Sequence, residues 1–342
     1  MQLLNTLYVT TPDSYLRLDN HTLRVQVERE VRLQVPLHHL TAVVCFGHVA
    51  VSVPLMHRLA DDGIALVLLD GNGRFKARLE GATAGNVLLR QAQHRRASDI
   101  GFGLETARAC IAGKLKNGRQ SLLRGAREAK NEDDRARLAR GADDLAASLR
   151  ALPGAEDLDE VRGIEGDAAR RYFERLNLLV RSDLRAAFCM DGRTRRPPRD
   201  RMNALLSFLY SMWVNDCRSA IEAVGLDPQI GFLHVVRPGR AALALDLLEE
   251  FRPLPDRLAL TLVNRGQLTA KDFCEREGGA FLLESDARKA VVVAYQERKQ
   301  EELTHPLLAQ PLALGLVPLV QARLLARAVR GETAGYLPFT IK

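Results

Sequence analysis

One apolar segment that also carries acids constrains the fold of this chain more than any other. Residues 241–251 read AALALDLLEEF, and a helix formed from them is apolar on nearly every face. Such a helix is predicted to be buried, yet it contains Asp246, Glu249 and Glu250. Burying an unpaired ionised carboxylate costs several kcal/mol, so these acids are expected to face a cleft, a cationic partner or a metal ion.

A histidine lies just upstream of this segment. His234 is followed by the turn RPGR, which can fold the histidine back towards the helix. Asp246 and Glu249 are three residues apart and therefore share one face of a helix. A histidine and two carboxylates that converge in this way can bind a hard or borderline divalent ion. The spacing equally fits a neutral core histidine with solvated helix acids, since it matches no zinc or calcium signature.

Three motifs, taken in order, resemble one protein family. The segment GIEGDAARRYF (Gly163–Phe173) resembles the glutamate motif of the CRISPR-associated integrases, the family called "Cas one". The segment NALLSFLYS (Asn203–Ser211), followed by AVGLDPQIGFLH, resembles the region that leads to the family's histidine. The elements GFLH, PGR and LALDLLEEFRP within Gly231–Pro253 resemble its core signature. Towards both ends of the chain the resemblance is less diagnostic.

The resemblance implies a reaction and a set of catalytic residues. Members of this family insert new spacers into CRISPR arrays: the 3′ hydroxyl of a spacer DNA attacks the repeat boundary in a metal-dependent transesterification. By resemblance, Glu165, His234 and Glu249 hold one Mg²⁺ or Mn²⁺ ion, and Asp246 is a further catalytic acid near that ion. Glu165 is singled out by the resemblance alone, because an acid at a helix start is otherwise ordinary.

The resemblance also implies partners. Double-stranded DNA serves as the spacer donor and as the CRISPR repeat target, the chain forms a homodimer, and two dimers assemble about a small dimeric partner called "Cas two". Two other functions stay open: a metal-dependent nuclease or resolvase that acts on branched DNA, and a non-catalytic scaffold that binds nucleic acid. Dependence on a divalent ion separates the scaffold from both enzymes.

Two basic segments are candidates for binding DNA phosphates. The net charge is +7, and most of the 49 basic residues are arginines, which suit bidentate phosphate contacts but also accompany GC-rich genomes. GKLKNGR is expected to form a glycine-bounded turn between helices 101–112 and 118–151, and MDGRTRRPPRDRM an exposed, mobile loop. The candidate contacts are Lys114, Lys116, Arg193, Arg195, Arg196 and Arg199. Each segment can instead be a solvated connector.

The rest of the sequence predicts an α+β fold with two domains. Residues 1–82 contain short runs rich in β-branched and aromatic residues and are predicted to form a β-rich dimerisation domain with a half-buried antiparallel sheet. The connector GATAG near Gly81 marks the boundary, and residues 83–342 are predicted to form a larger all-α-helical catalytic domain. Within it, a helix capped by Thr269 is expected, and over 304–328 either one kinked helix or two short helices.

The composition argues against several classes of protein. No apolar run approaches the roughly 20 residues that span a bilayer, and MQLLNTLYVTT has no basic segment followed by an apolar one. A cytoplasmic protein without a membrane contact is therefore expected. The five cysteines are scattered and form no CxxC pair, which argues against a disulfide framework and against a thiolate zinc site.

Overall fold

The structure, a computed structural model, describes residues 5–71, 73, 75–79, 81 and 86–341. The chain divides into two compact units. The first comprises Met1–Gly85 and Leu283–Gln300, and the second comprises Asn86–Leu282 and Glu301–Lys342. Residues 283–300 therefore group with the N-terminal part of the chain. The predicted boundary between residues 82 and 83 lies outside the described residues.

Two four-stranded sheets form the described part of the first unit's β structure. Its strands are β1 (Thr6–Val9), β2 (Ser14–Asp19), β3 (Thr22–Val27), β4 (Glu30–Pro36), β5 (Ala42–Phe46), β6 (Val49–Val51), β7 (Ala65–Leu69) and β8 (Phe75–Leu79). One sheet has the order β4-β3-β2-β6, and the other has the order β1-β5-β7-β8. In the first sheet β2, β3 and β4 form an antiparallel meander, while β6 joins β2 in parallel.

The predicted antiparallel arrangement is correct for the meander and wrong for the second sheet. There β1, β5 and β7 pair in parallel, and β8 pairs antiparallel with β7. Parallel neighbours need a crossover connection, and helix α1 (Val53–Asp61) lies between β5 and β7 in the chain. Ser52 caps α1 by accepting a hydrogen bond from Leu55 N. The core of this unit contains Leu16, Leu23, Val43, Leu55, Leu59 and Leu66.

The second unit is mostly helical, as predicted. The helices that follow α1 in the chain are α2 (Val87–Ala97), α3 (Ile100–Glu128), α4 (Glu132–Ala151), α5 (Leu158–Leu176), α6 (Arg185–Phe188), α7 (Arg201–Val224), α8 (Ala242–Phe251), α9 (Pro253–Asn264), α10 (Ser285–Gln300) and α11 (Val317–Val329). Helix α10 belongs to the first unit and the others to the second. Among the described residues, no helix is long and apolar enough to cross a membrane.

Helix α8 is buried by the helices around it, as its sequence predicts. Its residues are all buried except Leu245, and helices α3 and α7 pack against it. Trp213 of α7 stacks on Phe251 with the ring centroids 5.6 Å apart. The three acids of α8 are each at most 2% exposed, so each of them needs polar partners inside the protein.

Helix α3 continues through the segment GKLKNGR, so the predicted turn there is wrong. The glycines allow close packing instead. A Cβ atom at Gly113 would lie 2.9 Å from the Cβ atoms of Glu250 and Pro338, so a glycine is needed for α3 to approach α8 this closely. A Cβ atom at Gly118 would lie 3.4 Å from Leu145 Cδ1 on α4. The lysines of this segment therefore project from a helix.

Helices predicted near the C-terminus are partly replaced by strands. Thr269 forms a capping box with Asp272, but the structure it starts is one 3₁₀ turn that leads into β9 (Phe273–Arg276). The short strands that follow are β10 (Ala280–Leu283), β11 (Glu302–Thr304) and β12 (Pro311–Ala313). Strands β11 and β12 pair antiparallel where helices were predicted. Helix α11 tolerates Pro318 because the proline lies in its first turn. The predicted all-helical domain thus contains small sheets as well.

The C-terminal residues 336–341, called the strap below, bind to their own unit. Asn117 of α3 donates from Nδ2 to Phe339 O at 3.0 Å and accepts from Ile341 N at 2.7 Å. Asn117 Nδ2 also donates to the carbonyl oxygen of Glu250 at 2.8 Å. The strap therefore ties α3 to α8. The sequence did not decide whether this tail binds its own domain or a partner.

Glu250 is the buried anchor of the strap. Its carboxylate accepts hydrogen bonds from Tyr336 Oη and from Phe339 N, both at 2.8 Å, and from Gln321 Nε2 at 3.4 Å. Burial raises the pKa of Glu250 to about 8, because it outweighs these three hydrogen bonds, which lower the pKa. Glu250 is therefore predominantly protonated in the folded protein at neutral pH.

The raised pKa of Glu250 predicts a pH-dependent stability. Between about pH 4.5 and about pH 8 the folded state binds this proton and the unfolded state does not, so the free energy of unfolding falls as pH rises. Glu250→Gln is neutral at every pH and removes this loss. As pH increases from about 5 to about 8.5, we expect the melting temperature of this variant to rise relative to that of the unmodified protein. Thermal unfolding across this range measures the difference.

The exposed Glu277 provides a matched control. Glu277→Gln removes the same charged group from the surface, so its melting temperature relative to the unmodified protein should change much less with pH. A Glu250→Gln difference that stays constant over the whole pH range would contradict the assignment of Glu250 as a buried, largely protonated acid.

Candidate active site

Asp246 holds the loop that carries His234. Its carboxylate accepts hydrogen bonds from the backbone N–H groups of Phe232 at 2.6 Å, Leu233 at 3.0 Å and His234 at 2.9 Å. His234 Nδ1 lies 2.7 Å from Asp246 Oδ1. Gly231 is required here, because a Cβ atom at this position would lie 2.6 Å from Asp246 Oδ2. Both oxygens of Asp246 are thus engaged, and the carboxylate fixes the histidine ring with Nε2 free to face another group.

That other group is Glu249, one turn further along α8. His234 Nε2 lies 3.9 Å from Glu249 Oε1. Arg162 of α5 supports the same loop by donating from Nη2 to Leu233 O at 2.7 Å. The convergence of His234, Asp246 and Glu249 that the sequence suggested is therefore present, and the interpretation of His234 as a core histidine with solvated acids is excluded by the burial of both acids.

Two cations compensate the buried charge of Glu249. Arg252 donates from Nη2 to Oε1 at 2.6 Å and from Nε to Oε2 at 2.8 Å, which is a bidentate pair. Lys114 Nζ donates to Glu249 Oε2 at 2.7 Å. Burial raises the pKa of Glu249, but the charges of Arg252 and Lys114 lower it by more, so the pKa lies well below its usual range. Glu249 is therefore ionised at any working pH.

Glu165 reaches the same place from α5. Lys114 Nζ is hydrogen-bonded to Glu165 Oε1 as well as to Glu249, so one ammonium group joins acids from two helices. The Glu165 side chain is 28% exposed and that of Glu249 is 3% exposed. The site therefore opens to solvent on the Glu165 side.

The donor set fits a hard divalent ion in its chemistry. Two carboxylates and an imidazole nitrogen are ligands that Mg²⁺ and Mn²⁺ accept. Among the described residues, no three His, Cys, Asp or Glu side chains are arranged closely enough to hold an ion as they stand. Instead, Lys114 and Arg252 are paired with the carboxylate oxygens of Glu165 and Glu249.

The comparisons with known proteins show to which family the chain belongs. The family model for "CRISPR associated protein Cas1" matches residues 7–297. The CRISPR-associated endonuclease Cas1 1 of Moorella thermoacetica is 56% identical over 98% of this chain and 98% of its own length. The chain belongs to the Cas1 family. The family resemblance predicted from the three motifs is confirmed.

Solved structures share the fold of this Cas1 protein. A chain of a "Cas6-RT-Cas1--Cas2 complex" superposes with a TM-score of 0.84 at 23% identity, over 99% of this chain and 36% of that longer chain. A "Casposase bound to integration product" superposes with a TM-score of 0.83 at 21% identity, over 98% of this chain and 93% of the other. The predicted fold class, a β-rich N-terminal region followed by a mostly helical domain, is confirmed.

For two residues of the site, Arg252 and Lys114, the ion pairs with the carboxylates were not predicted from the sequence. Arg252 lies three residues after Glu249 on a helical segment, so the i, i+3 spacing contained the signal for this ion pair. Lys114 is predicted in a turn as a candidate phosphate contact; it lies instead on α3, where its ammonium group is paired with Glu165 and Glu249. No sequence pattern links it to residues 51 and 135 positions away.

Arg193 is partly buried, so the prediction of an exposed loop is wrong at this residue. Its guanidinium donates to Asn203 Oδ1 at 2.7 Å and to Ser207 Oγ at 3.1 Å, and it lies 5.2 Å from the ring centroid of Tyr210. Arg252 also lies over the Tyr210 ring, at 5.2 Å. Arg193 therefore supports the aromatic ring against which Arg252 is held.

The other basic candidates are at the surface. Lys116 is exposed on α3, and Arg195, Arg196 and Arg199 are exposed in the loop. Arg199 Nη1 is hydrogen-bonded to Gly278 O, which fixes one end of the loop. These four side chains are accessible to a polyanion, whereas Arg193 and Lys114 are engaged inside the protein.

The different surroundings of Arg193 and Arg196 predict different effects on stability. Arg193→Ser removes hydrogen bonds to partly buried groups, so we expect the free energy of unfolding to fall by about 1–3 kcal/mol. Arg196→Ser changes an exposed side chain of the same loop and should stay within about 0.5 kcal/mol. Urea unfolding of both variants measures this. Equal stability of the two would mean that the buried contacts of Arg193 contribute nothing.

Proposed function

We propose that this Cas1 protein is the integrase of CRISPR adaptation. In the proposed reaction the 3′ hydroxyl of a spacer DNA attacks a phosphodiester at the repeat boundary. One P–O bond forms to the donor oxygen and one P–O bond to the leaving 3′ oxygen breaks, while the attacking hydroxyl loses a proton and the leaving 3′ oxygen gains one. The observation that carries the proposal is the convergence of Glu165, Glu249 and His234 in a chain of this family.

Glu165, His234 and Glu249 would hold one Mg²⁺ or Mn²⁺ ion. Such an ion supplies Lewis-acid stabilisation of the charge that develops on the phosphate. The protein's own residues prepare the site: Asp246 orients the imidazole through Nδ1, and Arg252 fixes both oxygens of Glu249. The role of Asp246 in this proposal is positioning, because its two oxygens are already occupied by four donors.

Because both oxygens of Asp246 are already hydrogen-bonded, a DNA hydroxyl is favoured over water as the nucleophile. A hydrolase must position and activate a water molecule, for which a side chain such as a carboxylate near the ion can act as the general base. Asp246 is the further acid beside the proposed ligands, and its donors leave it no free oxygen. A DNA hydroxyl that the bound duplex holds in line needs less assistance. This supports transesterification.

Hydrolysis is the second candidate function. The curated relatives are named CRISPR-associated endonucleases, and the same ion and phosphate geometry serves cleavage by water. The scaffold function is disfavoured, because a DNA-binding scaffold has no use for a buried acid held between two cations. A nuclease and an integrase differ in the nucleophile, so the deciding experiment varies the donor's 3′ end.

The proposed partners follow from the comparisons and from the surface charge. The related structures are a Cas6-RT-Cas1–Cas2 complex and a casposase bound to an integration product, and we propose that this chain likewise joins a Cas2 dimer and binds double-stranded donor and target DNA. Homodimerisation through the β-rich unit remains a prediction. The reaction belongs in the cytoplasm, where the proposed DNA substrates are.

The exposed basic side chains predict the salt dependence of DNA binding. Replacing Arg195, Arg196 and Arg199 together by serine should weaken duplex binding and reduce the slope of log K against log salt by up to about 0.9 per lost phosphate contact. Fluorescence anisotropy at several salt concentrations measures the slope. An unchanged slope would leave this loop as a solvated connector.

The donor's 3′ end decides between the two reactions. With the protein, its Cas2 partner, Mn²⁺ and a supercoiled repeat target, a donor with a free 3′ hydroxyl should become covalently joined to the target. A donor that ends in a 2′,3′-dideoxynucleotide should give no joined product, since it lacks the nucleophile. Gel electrophoresis of the labelled donor detects joining. His234→Ala and Glu249→Ala should abolish joining by the normal donor.

Nicking of the target without joining of the donor would contradict the integrase function. If both donors produce equal nicking and neither is joined, water is the nucleophile and the nuclease function replaces the integrase function. If His234→Ala and Glu249→Ala both join donor to target as efficiently as the unmodified protein, the proposed metal site is wrong.

A further inference from the structure

Lys114 occupies the place where the two proposed carboxylate ligands of the ion meet. Its Nζ is 2.7 Å from Glu249 Oε2 and is hydrogen-bonded to Glu165 Oε1. The lysine side chain is 14% exposed, so solvent screens these contacts only weakly. The three residues come from α3, α5 and α8, and the ammonium group is the contact that links the two acids.

The two acids depend on Lys114 to different degrees. Glu249 has a second cation, because Arg252 binds both of its oxygens. For Glu165, the ion pair found among the described residues is the one with Lys114. Without Lys114, the carboxylates of Glu165 and Glu249 would face each other, and the guanidinium of Arg252 would remain beside Glu249 to compensate their charge. Like charges in a partly buried place repel strongly.

We propose that Lys114 is a built-in counter-cation that occupies the ion position in the metal-free protein and is displaced when the divalent ion binds. An ammonium group and a divalent cation cannot share the same two carboxylates, because both the space and the charge conflict. The aliphatic stem of Lys114 lines a largely apolar cavity together with Tyr172, Phe173 and Tyr210, and its ammonium group is the part that must leave the two carboxylates. This inference rests on the proposed metal site.

Lysine suits this task better than arginine. An ammonium is a compact charge on a flexible stem, so it can leave one pair of oxygens without breaking a planar bidentate contact. Arg252 donates two hydrogen bonds from its planar guanidinium to Glu249 and is expected to remain bound. The site thus contains one permanent cation and one exchangeable cation. The metal-free state keeps its acids neutralised, and the ion must compete with Lys114 to enter.

Competition predicts that metal affinity rises when Lys114 is removed. Lys114→Met keeps the stem and deletes the charge, and we expect it to bind Mn²⁺ about tenfold more tightly than the unmodified protein. The metal-free variant should melt at a lower temperature, and Mn²⁺ should raise that temperature by more than it does in the unmodified protein. Electron paramagnetic resonance of free Mn²⁺ in a titration of the DNA-free protein gives the dissociation constant.

Lys116→Met is the matched control. It deletes the same charge from the same helix, but its side chain is exposed rather than between the acids, so Mn²⁺ affinity should change by less than about twofold. Lys114→Arg retains the charge and adds a bidentate grip, so it should bind Mn²⁺ more weakly than the unmodified protein. This second variant tests the competition even if Lys114→Met folds poorly.

The outcomes separate this inference from the function on which it rests. If the unmodified protein binds Mn²⁺, Glu249→Gln abolishes that binding, and Lys114→Met matches Lys116→Met, then the metal site stands and the displacement of Lys114 is wrong. If Glu249→Gln leaves Mn²⁺ binding unchanged, the ion does not use this site, and both the metal site and the inference are overturned. Tighter binding by Lys114→Met with weaker binding by Lys114→Arg supports the proposal.

Discussion

The charge of Glu249 is the constraint on which the arrangement of the second unit depends. A carboxylate that is 2% exposed is stable in its ionised form only when cations and donors replace its water. Arg252, the residue that directly follows α8, supplies one cation, and Lys114 supplies another from α3. Arg252 is in turn held over the Tyr210 ring, whose other neighbour is Arg193. A single buried acid thus accounts for contacts that reach from α3 to the basic loop.

The geometry of helix α8 gives its three acids, Asp246, Glu249 and Glu250, different partners. Residues three apart lie on one helix face and adjacent residues point in different directions, so Asp246 and Glu249 serve one cleft while Glu250 faces the strap. Asp246 binds the loop of His234, Glu249 binds the cations, and Glu250 binds the C-terminus. The environments have opposite effects: cations lower the pKa of Glu249, whereas burial raises that of Glu250.

The parts of the structure that could be predicted are those encoded locally. The burial of AALALDLLEEF, the convergence of His234 with Asp246 and Glu249, and the strand meander follow from hydrophobic pattern and short spacings. The continuity of α3 could not be predicted, because Gly113 resembles a turn glycine unless one knows that Glu250 and Pro338 pack against it. The contacts of Lys114 depend on the packing of three helices that are distant in sequence, and local patterns carry no information about such packing.

The close approach of α3 and α8 connects the strap to the active site. Gly113 immediately precedes Lys114, and a Cβ atom at Gly113 would contact Glu250, the neighbour of Glu249. The strap holds the same two helices together through Asn117 and Glu250. Lys114 reaches Glu249 because these helices are held at this spacing. The distance between Lys114 and the buried Glu249 is therefore fixed in part by Asn117 and the strap, which bind Glu250, the neighbour of Glu249.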